Sequence, residues 1–303
     1  ELPPKPSRMP TPQVHIFQMQ PWVRQLMASQ DLLFALNWQG TSAAIGMAHC
    51  TLFHSRAEKL VTIERPSITL FHAELNEVMA MAELRAERSD EILAQIDHQW
   101  AQWSSILPLR PDLKPRTFEA IQALVWMCVC VEMRFKQVLG VSRPQDLSPQ
   151  VQPIISTPGH GSFPMGHATQ AYAVAESLRL LLNLRSEETL SQQLNRQAHR
   201  IAVNRVVAGL HFPVDLMAGQ MLGKALAQFA YACAQTGPTM LMRWHFTESA
   251  YQQLQPWASQ NIQDPDLSAF LRGQILYHPD PAQFPVWSML WRAARAEWET
   301  GHA

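Results

Sequence analysis

Three short clusters hold the residues whose types and spacing could do chemistry. The first runs Lys136-Gln-Val-Leu-Gly-Val-Ser-Arg143-Pro144. The second runs Pro158-Gly-His160-Gly-Ser-Phe-Pro-Met165-Gly166-His167, and the third Asn204-Arg205-Val-Val-Ala-Gly-Leu-His211-Phe-Pro-Val-Asp215. One Lys and two Arg form a charged donor set for a tetrahedral oxyanion, Arg giving forked bonds and Lys a point charge. Gly166 adds a backbone N–H at the head of a helical run, where unpaired N–H groups and the macrodipole favour an anion. A side chain there would obstruct approach. His211, with Asp215 four residues on, suits a nucleophile or ligand whose other ring nitrogen is held. His167 suits proton transfer near neutral pH. Singly, each has a plain reading: Lys136, Arg143 and Arg205 as solvated charges, His211 as a core histidine bonded to Asp215. All of them in order, each at a helix end, point to an oxyanion site within 136–215.

The elements that must position these clusters read as helices. Apolar residues recur at helical spacing from Pro21 to Trp38, from Pro66 to about Ala86 and from Asp90 to Leu107. The most apolar run, Phe118 to Leu139, is stopped by Gly140. The Pro-rich stretch from Pro144 to Pro164 reads as loop. Helices follow from Ala168 to Leu184, from Ser186 to about Ala208, and from Pro213 through Phe229. Residues 40–64 are ambiguous, with Leu60, Val61 and Ile63 fitting a short strand or a helix. Hardly any strand alternation is visible, so the expectation is an all-α helical bundle. We expect one domain over 1–303: an N-terminal arm over 1–20, the bundle over 21–240, and a Trp/Pro-rich extension over 241–303. That extension holds Trp244, Trp257, Trp287, Trp291 and Trp298, with Pro256, Pro265, Pro279, Pro281 and Pro285. It is expected to pack on the bundle or to form a dimer contact.

Composition narrows the partners. A formal net charge of −1 and a pI near 7.0 argue against nucleic acid or an acidic membrane surface, so any cationic site is local. The longest uncharged apolar run, Ala120 to Val131, is too short to span a bilayer, and a soluble protein is expected. Cys50, Cys128, Cys130 and Cys233 show no zinc or C-x-x-C spacing and read as free buried thiols. The remaining histidines (His15, His49, His54, His72, His98, His199, His245, His278 and His302) show no ligand spacing and read as structural or solvated. The chain starts at Glu1, so a signal peptide is neither claimed nor excluded.

Together the clusters resemble the signature of the vanadium-dependent haloperoxidase and type 2 phosphatidic-acid phosphatase superfamily: K-x6-R-P, P-S-G-H and S-R-x5-H-x3-D. The resemblance covers roughly Phe118 to Phe229 and implies an all-α bundle of that type. Asn204 stands where the family has Ser. Met165 replaces the Ser of P-S-G-H, whose hydroxyl in the family bonds the anion, and a thioether cannot donate. The resemblance implies that vanadate is held by Lys136, Arg143, Gly166, His167, Arg205 and His211, with His211 as its apical ligand; phosphate can occupy the same site. As a haloperoxidase, the protein would use hydrogen peroxide to oxidise bromide or iodide and halogenate a small organic acceptor, with Lys136 and His167 assisting and Asp215 orienting His211. His160 lies where bromoperoxidases of the family carry a second active-site histidine, and about 115 residues precede the first motif helix; both favour this reading. The alternative is a soluble acid phosphatase that forms a phosphohistidine at His211, with His167 as general acid. Family likeness and the Trp-rich tail leave a homodimer open.

Overall fold

The computed structural model describes residues 16–41, 48–54, 58–97, 99–254 and 267–299. Most of the expected N-terminal arm, and Trp257, Pro256 and Pro265 of the extension, lie outside them. In chain order, helix α1 (Pro21–Phe34) leads into strands β1 (Leu36–Thr41), β2 (His49–His54) and β3 (Glu58–Glu64). Helices α2 (Ile68–Met81), α3 (Arg85–Ala94), α4 (Trp100–Ser104), α5 (Pro115–Leu139) and the single turn α6 (Pro144–Leu147) follow. The centre is made by α7 (Gly166–Leu181), α8 (Thr189–Val207) and α9 (Pro213–Cys233). The chain closes with β4 (Thr239–Phe246), α10 (Glu248–Gln253), β5 (Leu271–Tyr277) and α11 (Pro285–Glu299).

Local chemistry accounts for the helices that carry the site. Pro115 opens α5 at a first-turn position, where its missing N–H costs nothing. Gly140, left-handed at φ 56, ends it and donates its N–H to the Lys136 carbonyl at 3.0 Å. Ile121, Leu124, Cys128, Val131, Phe135 and Leu139 recur on the buried face of α5. α9 is buried along nearly its whole length, and two glycines let α7 approach it. A Cβ at Gly219 would stand 2.6 Å from the Met165 carbonyl oxygen, and one at Gly223 would collide with the Thr169 carbonyl. These contacts clamp the start of α7 onto the second and third turns of α9.

The all-α expectation is overturned. The helices share the chain with one five-stranded mixed sheet of order β1-β2-β3-β4-β5, antiparallel throughout except for the parallel pair β3–β4. That parallel pair joins Val61 to Trp244 and Ile63 to Phe246, across most of the chain. The helical reading of Pro21 to Trp38 therefore ends at Phe34, and the last residues belong to β1. Residues 58–64 resolve the ambiguity as strand. The physical reason is that these strands are short and do not alternate cleanly. β2 buries four of its six residues, three of them consecutive, and β1 is exposed except at its ends. The supposed helix from Asp90 to Leu107 is also broken, with α3 ending at Ala94 and α4 starting at Trp100.

The final segment seats on the helices. The Trp287 indole N–H donates to the Ala230 carbonyl at 2.7 Å, and the Glu297 carboxylate accepts the N–H groups of Arg116 and Thr117 at 2.7 and 2.9 Å. Asp31 of α1 accepts the N–H groups of Val286 and Trp287 at the head of α11. All four cysteines are free; Cys50, Cys128 and Cys233 are buried, whereas Cys130 is exposed, against expectation.

Candidate active site

Five short pieces of backbone converge at the heads of α6, α7 and α9 and the tails of α5 and α8. Two of them repeat one local device. Arg143-Pro144-Gln145-Asp146 opens α6 and Phe212-Pro213-Val214-Asp215 opens α9. In each, the carboxylate three residues on accepts the N-cap N–H, at 2.9 Å for Arg143 and 3.0 Å for Phe212. The backbone beside Arg143 and His211 is thereby fixed.

Lys136 lies in the last turn of α5 and is buried. Its ammonium donates to the carbonyls of Gly161 and Ser162 at 2.9 and 2.8 Å, which fastens the 158–165 loop to α5. Burial lowers its pKa to about 8. The Arg143 guanidinium donates to the Leu210 carbonyl at 2.9 Å, to His211 Nε2 at 3.1 Å and to the His160 carbonyl at 3.1 Å. His160 itself is exposed, with its Nδ1 3.2 Å from Arg143 Nη2.

His211 is buried between two partners, with Nδ1 2.9 Å from Asp215 Oδ2 and Nε2 facing Arg143. Burial, reinforced by the charges of Arg143 and Lys136, holds its pKa well below the usual imidazole range. The ring is therefore neutral. With Nδ1–H donated to Asp215, its Nε2 carries a lone pair. Burial raises the Asp215 carboxyl to about 7.

Arg205 closes the opposite side from the last turn of α8. Its Nη2 donates to the Ile92 carbonyl at 2.9 Å and to Gln95 Oε1 at 3.2 Å. Its Nε and Nη1 are fully buried and have no hydrogen-bond partner. Leaving two guanidinium donors dry and unpaired is costly, and burial lowers the Arg205 pKa to about 10. An acceptor with several oxygens would satisfy both. Asn204 beside it does not face that space: its amide donates to Gln95 Oε1 at 3.0 Å, and its carbonyl accepts from Arg88 at 3.3 Å.

His167 stands in the first turn of α7 and donates Nε2–H to the Gln95 carbonyl at 3.0 Å, leaving Nδ1 as its free nitrogen. Burial and then the Arg205 charge push its pKa down to about 3. Gly166 is needed for a reason not foreseen. A Cβ there would lie 2.6 Å from Glu132 Oε1, so the buried Glu132 side chain fills the space. Glu132 accepts from Gln170 at 3.0 Å, and burial raises its carboxyl to about 7. Met165 is buried at the N-cap of α7 and makes no side-chain cap bond.

The structure thus gathers Lys136, Arg143, Gly166, His167, Arg205, His211 and Asp215, with His160 at the rim. There a cavity of about 500 Å³, lined by Lys136, Arg143, Asp146 and His160 among others, opens outward. Sequence reasoning missed Gln95, Glu132 and the Ser162 carbonyl. Glu132 had one signal, its i,i+4 spacing to Lys136; Gln95 had none. Among the described residues, no cluster of three His, Cys, Asp or Glu side chains could hold a metal cation. No described helix is long and apolar enough to cross a membrane.

Comparison with known proteins bears on the same segment. Residues 120–238 match the sequence model of the PAP2 superfamily, and that span contains the gathered site residues but not Arg88, Ile92 and Gln95, which support Asn204, Arg205 and His167. The decaprenylphosphoryl-5-phosphoribose phosphatase of Mycolicibacterium smegmatis is 26% identical over 120 residues, 40% of this chain. The chain spans 62% of the length of that curated relative. A transmembrane PAP2 type phosphatidylglycerolphosphate phosphatase from Bacillus subtilis is similar over 52% of this chain and 91% of its own. The identity is 17% and the TM-score 0.32, too low to speak for a shared architecture.

Proposed function

We propose that this chain, a PAP2-superfamily member through residues 120–238, is a phosphatase that hydrolyses phosphate monoesters through a phosphohistidine at His211. One observation carries the reading. Two buried, unpaired guanidinium nitrogens of Arg205, Nε and Nη1, stand in a site whose neutral His211 holds Nε2 ready as a lone-pair donor. Arg205, Arg143, Lys136 and the α7 N-terminus supply the charge that an equatorially spread phosphoryl group needs. The incoming oxyanion takes over the N–H that Arg143 now gives to His211 Nε2.

His211 Nε2 attacks phosphorus in line with the ester oxygen. The P–O bond breaks, and the His167 Nδ1 proton goes to the leaving alkoxide. Asp215 keeps the proton on His211 Nδ1. Water then attacks the phosphohistidine and gives a proton to His167, the P–N bond breaks, and inorganic phosphate leaves. His167 must carry a proton for the first step. A bound dianion counters the cations that depress it, so its pKa rises on binding.

A second reading rests on His160, placed within reach of Arg143 at the rim. The unpaired donors of Arg205 fit vanadate as well as phosphate. Lys136, Arg143 and Arg205 would hold it, with His211 Nε2 as its protein ligand. Bound vanadate would supply activation of hydrogen peroxide for halide oxidation. The phosphatase reading is preferred because the curated relative is named a phosphatase. One assay pair separates them. We expect the purified protein to hydrolyse an aryl phosphate, with inhibition by vanadate, and to brominate no phenolic dye when given vanadate, bromide and peroxide. Vanadate-dependent bromination without ester hydrolysis would reverse the assignment.

A further inference from the structure

The C-terminal end of α3 lies outside the 120–238 segment, yet it reaches two of the site's residues. The Ile92 carbonyl and the Gln95 side-chain oxygen both accept from Arg205 Nη2, at 2.9 and 3.2 Å. The same Gln95 oxygen accepts from Asn204 at 3.0 Å, while the Gln95 amide donates to Glu91 at 3.1 Å. The Gln95 main-chain carbonyl accepts from His167 at 3.0 Å. Gln95 is fully buried, and Glu91 is in turn held by Arg200 at 2.8 Å.

Resting on the phosphatase reading, we infer that Gln95 is a positioning residue: by occupying Nη2 it aims the unpaired Nε and Nη1 of Arg205 at the substrate's phosphoryl group. Two of the guanidinium's three nitrogens are thereby reserved for the ligand. A Gln is needed because the side chain must accept from Arg205 and Asn204 while donating to Glu91. The fork's value lies in its fixed orientation, which a freely rotating Arg205 would lose.

The test measures inorganic phosphate binding by calorimetry on the full chain, with the thermal midpoint followed in parallel. Gln95→Met removes the acceptor. Gln95→Asn keeps polarity but falls one methylene short of Arg205, so it decides the matter should the first variant not fold. Each folded variant should bind phosphate about tenfold more weakly. In an Arg205→Met background the guanidinium that Gln95 holds is gone, so Gln95→Met has nothing left to aim. There it should change phosphate affinity by less than about threefold. Folded Gln95→Asn binding phosphate as tightly as the parent, or the same tenfold loss from Gln95→Met in the Arg205→Met background, would overturn the inference. A parent chain that binds no phosphate and hydrolyses no ester would instead sink the phosphatase reading.

Discussion

At the scale of single residues, the site departs most sharply at Met165 from the pattern that its three clusters resemble. The side chain is wholly buried and donates nothing, where the resemblance implies a hydroxyl that bonds the anion. Met165→Ser should tighten phosphate binding by about tenfold or more, the worth of a hydrogen bond to a charged group. It should also cost about 2–5 kcal/mol of stability through the cavity left behind. Calorimetry and chemical denaturation together check both; unchanged affinity would mean that the hydroxyl does not reach the anion. Lys136 sets a pH limit. In the proposed function its protonated form would bind the anion, and burial lowers its pKa to about 8, so phosphate affinity should fall as pH rises above that value. A Lys136→Met variant should bind more weakly and lose that alkaline limb.

At the scale of elements, the device that matters is the contact between the start of α7 and the glycines of α9. Gly223 leaves no room for a methyl group against the Thr169 carbonyl, so Gly223→Ala should destabilise the fold by about 1–3 kcal/mol. It should also weaken phosphate binding by tilting His167 away from the other donors, and denaturation with titration of the same sample tests the pair. The helices of this region were legible because each announces itself locally: Pro115 and Gly140 bracket α5, and Pro213 opens α9. The three clusters were legible for a related reason, since each side chain sits a fixed distance from a helix end. The sheet was not legible, because β3 and β4 pair across most of the chain and neither alternates cleanly. Gln95 was invisible in the same way. It follows α3 with no local oddity, and its role exists only once α3 docks on α8.

At the scale of the whole molecule, segments from both ends of the chain support the site. Glu74 of α2 accepts the Val214 N–H at 3.1 Å and the Tyr251 hydroxyl at 2.5 Å, directly behind Asp215. Burial raises the Glu74 carboxyl from 4.5 to about 8, and burial likewise raises Glu132 and Asp215 to about 7. In the folded state these groups hold protons that the unfolded chain releases, so their stabilisation is full at low pH and is lost as pH rises through those values. Histidines depressed from 6.5, such as His167, act oppositely, but only below 6.5. From about pH 6.5 to 8 the carboxyls act alone, and the thermal midpoint of the ligand-free protein should fall. Glu74→Gln should flatten that slope, and an unchanged slope would remove Glu74 as its cause.

The most direct test of the phosphohistidine is rapid quenching with a phosphate monoester labelled at phosphorus. The parent chain should form an acid-labile, base-stable label that maps to His211 and decays at the rate of phosphate release. His211→Ala should take up no label and lose at least about a thousandfold in turnover. Steady hydrolysis by the parent with no label on His211, or near-parental turnover by His211→Ala, would contradict nucleophilic catalysis at this residue.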